Sequence, residues 1–163
     1  MKNNNDTIIA KIETSFRLYN LGDIKKISMG NHVIASFILC SCFIEQISGY
    51  RYARSNNTSF INFVKEYMPQ YNPKKLRDDL RNRLVHNYSI GSCFALIQRH
   101  PEFHLKPSIQ NTLDQKYLNL ENFIEDIEIA FNKFIKDLKE NDAIKNNAIN
   151  WFMVHKVLEH SKH

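Results

Sequence analysis

Apolar residues recur at helical spacing along most of the chain. Ile8, Ile9, Ile12, Phe16 and Tyr19 mark one face of a first helix, and Gly22 is expected to end it. A second helix is expected from about Gly30 to Gly49. It is apolar nearly all round, which places it in the middle of a bundle. Glu45 is its anomaly: buried, this carboxylate needs a cation or several donors, whereas at an exposed helix end it needs neither. Thr58 or Ser59 can cap a short helix holding Phe60, Ile61, Phe63 and Val64. Asn72-Pro73 reads as an N-cap followed by proline at the first helical position. That helix carries Leu76, Leu80 and Leu84 as its apolar stripe and is expected to stop at Gly91.

The pattern then changes. Phe94 to Gln98 and Glu102 to Lys106 read as two short extended pieces around a turn near His100-Pro101, a small β-hairpin. Leu120, Phe123, Ile124, Ile127, Phe131, Phe134, Ile135 and Leu138 form the clearest amphipathic helix, acidic in its first half and lysine-bearing in its second. A last helix, about Asp142 to Leu158, carries Ile144, Ala148, Trp151, Phe152 and Leu158. The expectation is therefore all-α: an up-and-down bundle of roughly five or six helices with a small β-hairpin insertion, in one domain over residues 1–163.

Composition supports this picture. Only four Gly and four Pro occur in 163 residues, which suits long helices better than many strands and turns. The formal charge of +5 favours an anionic partner without demanding one. The opening MKNNNDTIIAKIE has no apolar stretch of the secretory kind. The most apolar run, Val33 to Ile44, is about a dozen residues where a membrane span needs about 20. A core helix of a cytoplasmic protein, with no membrane contact, is the expectation. Cys40 and Cys42 lie about 200° apart on a helix and cannot share a metal. With Cys93 they read as reduced, buried thiols. No zinc spacing and no Gly-rich phosphate loop is present, so no metal or cofactor is expected. His100 and His104 are expected to be exposed beside the turn, and Trp151 and Phe152 to be core. Tyr50, Arg51, Tyr52 and Arg54 suit either base stacking or packing.

The segment LRDDLRNRLVHNYS, residues 76–89, concentrates the candidate chemistry. With Leu76 at 0° on an ideal helix, Leu80 and Leu84 fall at about 40° and 80°, Arg77 at about 100° and Arg81 at about 140°. Both arginines thus border the buried face, and a buried guanidinium wants an anion. Arg83, at about 340°, borders the stripe on its other side. His86 falls at about 280°, some 140° from Arg81. One straight helix cannot aim both at one phosphate. Either the helix bends or breaks between them, or a second chain brings its own copy alongside; the expectation adopted is a homodimer. An arginine can hold a phosphodiester and neutralise growing charge. A histidine can take a proton from a ribose 2′-hydroxyl or return one to the leaving oxygen. Asn82 can orient either. Such a set needs no metal and favours single-stranded RNA, because DNA lacks the attacking hydroxyl.

Arg81-Asn82-Arg83-Leu84-Val85-His86 resembles the signature of the HEPN superfamily: arginine, a polar residue, three residues, histidine. The resemblance implies an all-α bundle that dimerises with its motifs facing across a cleft. It also implies a metal-independent endoribonuclease of toxin–antitoxin or phage-defence type. Carried over, Arg81 and His86 would be catalytic, Asn82 supporting, and Arg77 and Arg83 RNA-binding. Arg81, His86 and Tyr88 also look like the Arg-x4-His-x-Tyr form of HEPN toxins paired with a nucleotidyltransferase antitoxin. There Tyr88 would be the target of AMP modification. The alternative within the same fold is a non-catalytic protein that binds RNA or a nucleotide, or serves as a dimeric interaction module.

Overall fold

The structure is a computed structural model that describes residues 4–109 and 114–158. Six helical segments are present among the described residues. Helix α1 spans residues 4–29 and includes a π-helical stretch, Phe16–Leu21. Gly22 does not end it: its φ of −59° and ψ of −45° are helical, so the chain runs on to Met29. Helix α2, Val33–Tyr52, ends with Ala53 in the left-handed region. Helix α3 is Asn57–Tyr67. Its cap is Asn56 rather than Thr58 or Ser59, the Asn56 carboxamide accepting from the Ser59 backbone N–H at 2.9 Å and the Ser59 hydroxyl at 3.0 Å.

Helix α4, residues 73–87, begins at the expected Asn72 cap with Pro73 in its first turn. Its middle, Leu76–Asn82, is a second π-helix, and Arg83–Asn87 returns to α-helix. It ends before Gly91, with Tyr88 at φ 50°. Gly91 serves another purpose: a Cβ there would come within 2.3 Å of the Asp79 carboxyl, and its N–H donates to the Asp79 carbonyl at 2.9 Å. The loop after the helix is thereby tied back onto it. Helix α5, Leu120–Glu140, and helix α6, Asp142–Val154, are capped by Asn119 and Asn141.

The small β excursion is present, but its pairing differs from a hairpin of 94–98 with 102–106. Strand β1, Phe94–Ile97, pairs in parallel with β2, Lys116–Asn119. A parallel pair needs a crossover longer than a turn, and residues 98–115 supply it. Pro101–Phe103 in that crossover is a 3-10 turn, and residues 105–108 then run antiparallel to 115–117. The second strand was hidden because its partner lies about twenty residues away and its alternation is only four residues long.

Helix α2 is the centre of the bundle. Phe37, Cys40, Phe43, Ile44 and Ile47 are all buried, against α1, α3, α5 and α6. By length and composition alone this helix could cross a membrane. Here its buried side chains pack against protein, around an aromatic cluster of Phe16, Phe43, Tyr50 and Phe131. Burying such aromatics contributes about 2–3 kcal/mol each. Leu76, Leu80 and Leu84 seat α4 against the same core. The C-terminal half of α2 and the middle of α4 are thereby brought side by side.

Candidate functional site

Arg81 and His86 meet within one chain. The Arg81 Nη1 donates to His86 Nε2 at 3.0 Å and to Asn82 Oδ1 at 2.8 Å. The backbone explains how. An i→i+5 ladder turns the chain through less angle per residue than an α-helix, but only the start of the stretch from Arg81 to His86 lies in it, so the gap of about 140° narrows only in part. Arg81 sits at the junction where π-helix gives way to α-helix, and its long side chain covers what remains. Of the two routes open from the sequence, the one observed lies within a single chain, where the helix changes type, and the geometric need for a second copy falls away.

The rest of the guanidinium belongs to Glu45. Nε donates to Oε2 at 3.0 Å, and Nη2 donates to Oε1 at 2.7 Å and Oε2 at 2.6 Å. The anomalous carboxylate of α2 and the half-buried arginine of α4 are each other's partner. Both side chains keep an exposed edge, 18% for Arg81 and 30% for Glu45. A fork-on-fork pair of this kind fixes the guanidinium plane as well as its position. Every nitrogen of the Arg81 guanidinium is engaged, Nε and Nη2 by Glu45 and Nη1 by Asn82 and His86.

This arrangement sets the state of His86. A guanidinium only donates, so Nε2 must accept, which makes the imidazole neutral with its proton on Nδ1. The ring is exposed, and its accepting nitrogen is aimed at the cation. Asn82 holds Arg81 rather than His86, with a long contact from its amide to Asp78 at 3.5 Å.

The other candidates divide. Arg77 is half-buried, as its place beside the stripe implied, and pairs with Asp78 at 3.0 Å; its Nε is buried without a partner. Arg83 is more than half exposed, 3.9 Å from Asp79. Tyr88 is 71% exposed, directly after the helix. Arg51 and Tyr52 bond Glu66, and the Tyr50 hydroxyl donates to the His155 carbonyl, so these three serve packing between helices. His104 is not an exposed loop histidine: its side chain is 12% exposed and joins Tyr71 and Asp126. Cys42 is exposed, unlike buried Cys40. Burial first, and then the Glu45 carboxylate, hold its thiol above the ordinary range, so it stays protonated beside the site. Among the described residues, no three His, Cys, Asp or Glu side chains are grouped to hold a metal ion.

Two features escaped the sequence reading. Glu45 stood out as a charge in an apolar helix, but its partner lies 36 positions away. A groove of about 690 Å³ beside Glu45, lined by Trp151 and His155 among others, left no signal beyond an aromatic expected to be core.

No family model matches the chain, and neither a curated protein nor a solved structure is significantly similar to it.

Proposed function

We propose that the protein is an endoribonuclease that cleaves RNA by attack of the ribose 2′-hydroxyl and works without a metal. The observation that carries this reading is the contact between Arg81 and a neutral, exposed His86, with Glu45 holding the guanidinium from behind. The phosphate of the substrate takes the place of His86 on Nη1. That frees the Nε2 lone pair, which accepts the 2′-hydroxyl proton as the 2′-oxygen attacks phosphorus. Arg81 offsets the charge that builds on the non-bridging oxygens. The bond from phosphorus to the 5′-oxygen breaks, that oxygen takes a proton from water, and a 2′,3′-cyclic phosphate remains. The resemblance of Arg81 to Tyr88 to the HEPN signature supports the same chemistry and a toxin or defence role.

The homodimer belongs to this proposal on new grounds. Val85, Tyr88 and Ile90 expose apolar surface beside the site, 37%, 71% and 37% respectively, and a twofold copy set there would face one Arg81–His86 pair with another. The exposure of Tyr88 also suits modification by an antitoxin of nucleotidyltransferase type.

Purified protein incubated with single-stranded RNA in excess chelator tests the activity. Cleavage that leaves cyclic phosphate ends and is lost in Arg81→Ala and His86→Ala supports it. A second reading is favoured by the saturation of Arg81: a protein that binds RNA or a partner without cutting. RNA retention without cleavage, weakening steeply with salt, would establish that reading instead.

A further inference from the structure

The groove of about 690 Å³ beside the site has one wall in common with it: the Glu45 side chain. Its volume falls within the range of about 300–1,000 Å³ typical of small-molecule sites. Three aromatic residues line it, Tyr50, Trp151 and His155, and the last two rings lie on each other, with centroids 4.0 Å apart and planes inclined by 31°. Trp151 is half-buried because it lies on Gly49, where a Cβ would come within 2.8 Å of the indole. The indole thus rests on bare backbone of α2, one turn beyond Glu45. The His155 carbonyl is held by the Tyr50 hydroxyl at 2.7 Å, which fixes the chain just past α6. The platform is therefore built on two anchored segments and not on a loose loop.

The polar groups around it suit a heterocycle. The Gln46 Oε1 accepts from Asn20 at 2.8 Å, which turns its amide N–H₂ outward as a donor. The Ser55 hydroxyl can donate or accept, and Lys156 stands exposed at the rim. An aromatic platform, a hydrogen-bonding edge and a rim cation beside a phosphate-binding arginine are the parts that recognise an unstacked nucleotide.

We infer that this groove is a nucleobase subsite: it takes the base of a nucleotide next to the scissile phosphate, stacked on the outer face of His155, which is itself backed by Trp151. The inference rests on the RNA-cleaving reading and sharpens it, since only a single-stranded or looped RNA can turn a base out into such a groove. Gln46 and Ser55 bond the base edge, and Lys156 receives the next phosphate along the strand.

Trp151 is the only tryptophan in the chain, so its fluorescence reports this groove and nothing else. The test titrates the full-length protein with adenosine, AMP and a short DNA oligonucleotide that cannot be cleaved. Saturable quenching by the nucleoside is expected, with tighter binding of the oligonucleotide. His155→Ala should weaken oligonucleotide binding about tenfold, the loss of one stacked base. Lys156→Ala should weaken AMP and the oligonucleotide but not adenosine. Arg81→Ala should leave adenosine binding unchanged. No saturable quenching by any of the three, with RNA cleaved normally by His155→Ala, overturns the subsite and leaves the cleavage reading standing. Quenching by adenosine in a protein that cuts no RNA has the opposite meaning: the groove binds bases, and the enzyme assignment is the part that fails.

Discussion

Among the described residues, His104 and His86 each sit in a hydrogen-bonded cluster, and the contrast between them separates chemistry from architecture. His104 is enclosed. Its Nδ1 accepts from the Asn119 N–H at 3.2 Å, so its proton is on Nε2 and points to the Tyr71 hydroxyl at 2.9 Å. That hydroxyl donates onward to Asp126 at 2.5 Å. Each group has its partner within the cluster. Burial drives the Tyr71 hydroxyl far above its usual range, and the Asp126 carboxylate beside it adds to the shift. His86 is the reverse. It is exposed, it faces a cation and not a carboxylate, and its lone pair is the group that a substrate can release. A histidine beside a carboxylate is the pattern that a search for catalysis would choose first; here that pattern staples the crossover before β2 to α5.

The comparison is broken most directly by cleavage assays. His86→Ala and Arg81→Ala should each lower the cleavage rate by about 10²–10⁴-fold while the circular dichroism spectrum is kept. Tyr71→Phe should cleave as the parent does, yet lose about 1–3 kcal/mol in urea unfolding, because the half-buried carboxylate of Asp126 loses a donor. If Tyr71→Phe lost cleavage and kept stability, the roles assigned to the two clusters would be exchanged.

Glu45→Gln comes next, with an expected loss of about tenfold or more. Glu45 touches Arg81 and not the reacting atoms in this scheme, so it is a positioning residue. Its loss should appear mainly in kcat, and Glu45→Asp should recover part of it. A variant with unchanged kcat would mean that Arg81 holds its pose without the pair.

Acid titration sharpens the architectural side. Burial raises the Asp126 carboxyl, but the bonds from His104 and Tyr71 outweigh it and leave it below its ordinary 3.8. Glu13 and Glu66 are likewise lowered from 4.5, where bonds from Lys139 and Arg17, and from Tyr52 and Arg51, overcome burial. A carboxylate lowered in the folded state adds stability above its unfolded value and loses it as the pH falls through the folded one. The urea midpoint should therefore drop as pH falls below about 4.5, and Asp126→Asn should flatten that slope. The smallest effect is expected from Tyr88→Phe. With the side chain 71% exposed, the melting temperature should stay within a degree or so of the parent. A larger fall would make the tyrosine structural.

Much of the bundle could be read from the chain because its signals are local. The amphipathic run from Leu120 to Leu138 is one face of α5, and Asn72-Pro73 is a cap and first turn with no rival. At α3 the expected cap is Thr58 or Ser59, yet Asn56, two residues before Thr58 in a run of polar residues, holds it. The π-helix left no trace in the pattern, since Leu76, Leu80 and Leu84 keep one face whether the ladder closes at i+4 or i+5. That ambiguity is why Arg81 and His86 looked irreconcilable on an ideal wheel. Glu45 was visible as a misfit but not as a partner, because an ion pair between helices is a fact of packing. The parallel strands and the Trp151 groove likewise arise where distant segments meet.

The π-helical stretch of α4 has a consequence for counting. A ring closed at i+5 holds one residue more than a ring closed at i+4, so this stretch is an α-helix with a residue to spare. Closing the same seven residues at i+4 instead would swing everything beyond them about 100° around the axis. Arg81 would turn away from Glu45 with every side chain of the site still present. A single surplus residue, and no special side chain, is what sets this guanidinium between its carboxylate and its imidazole.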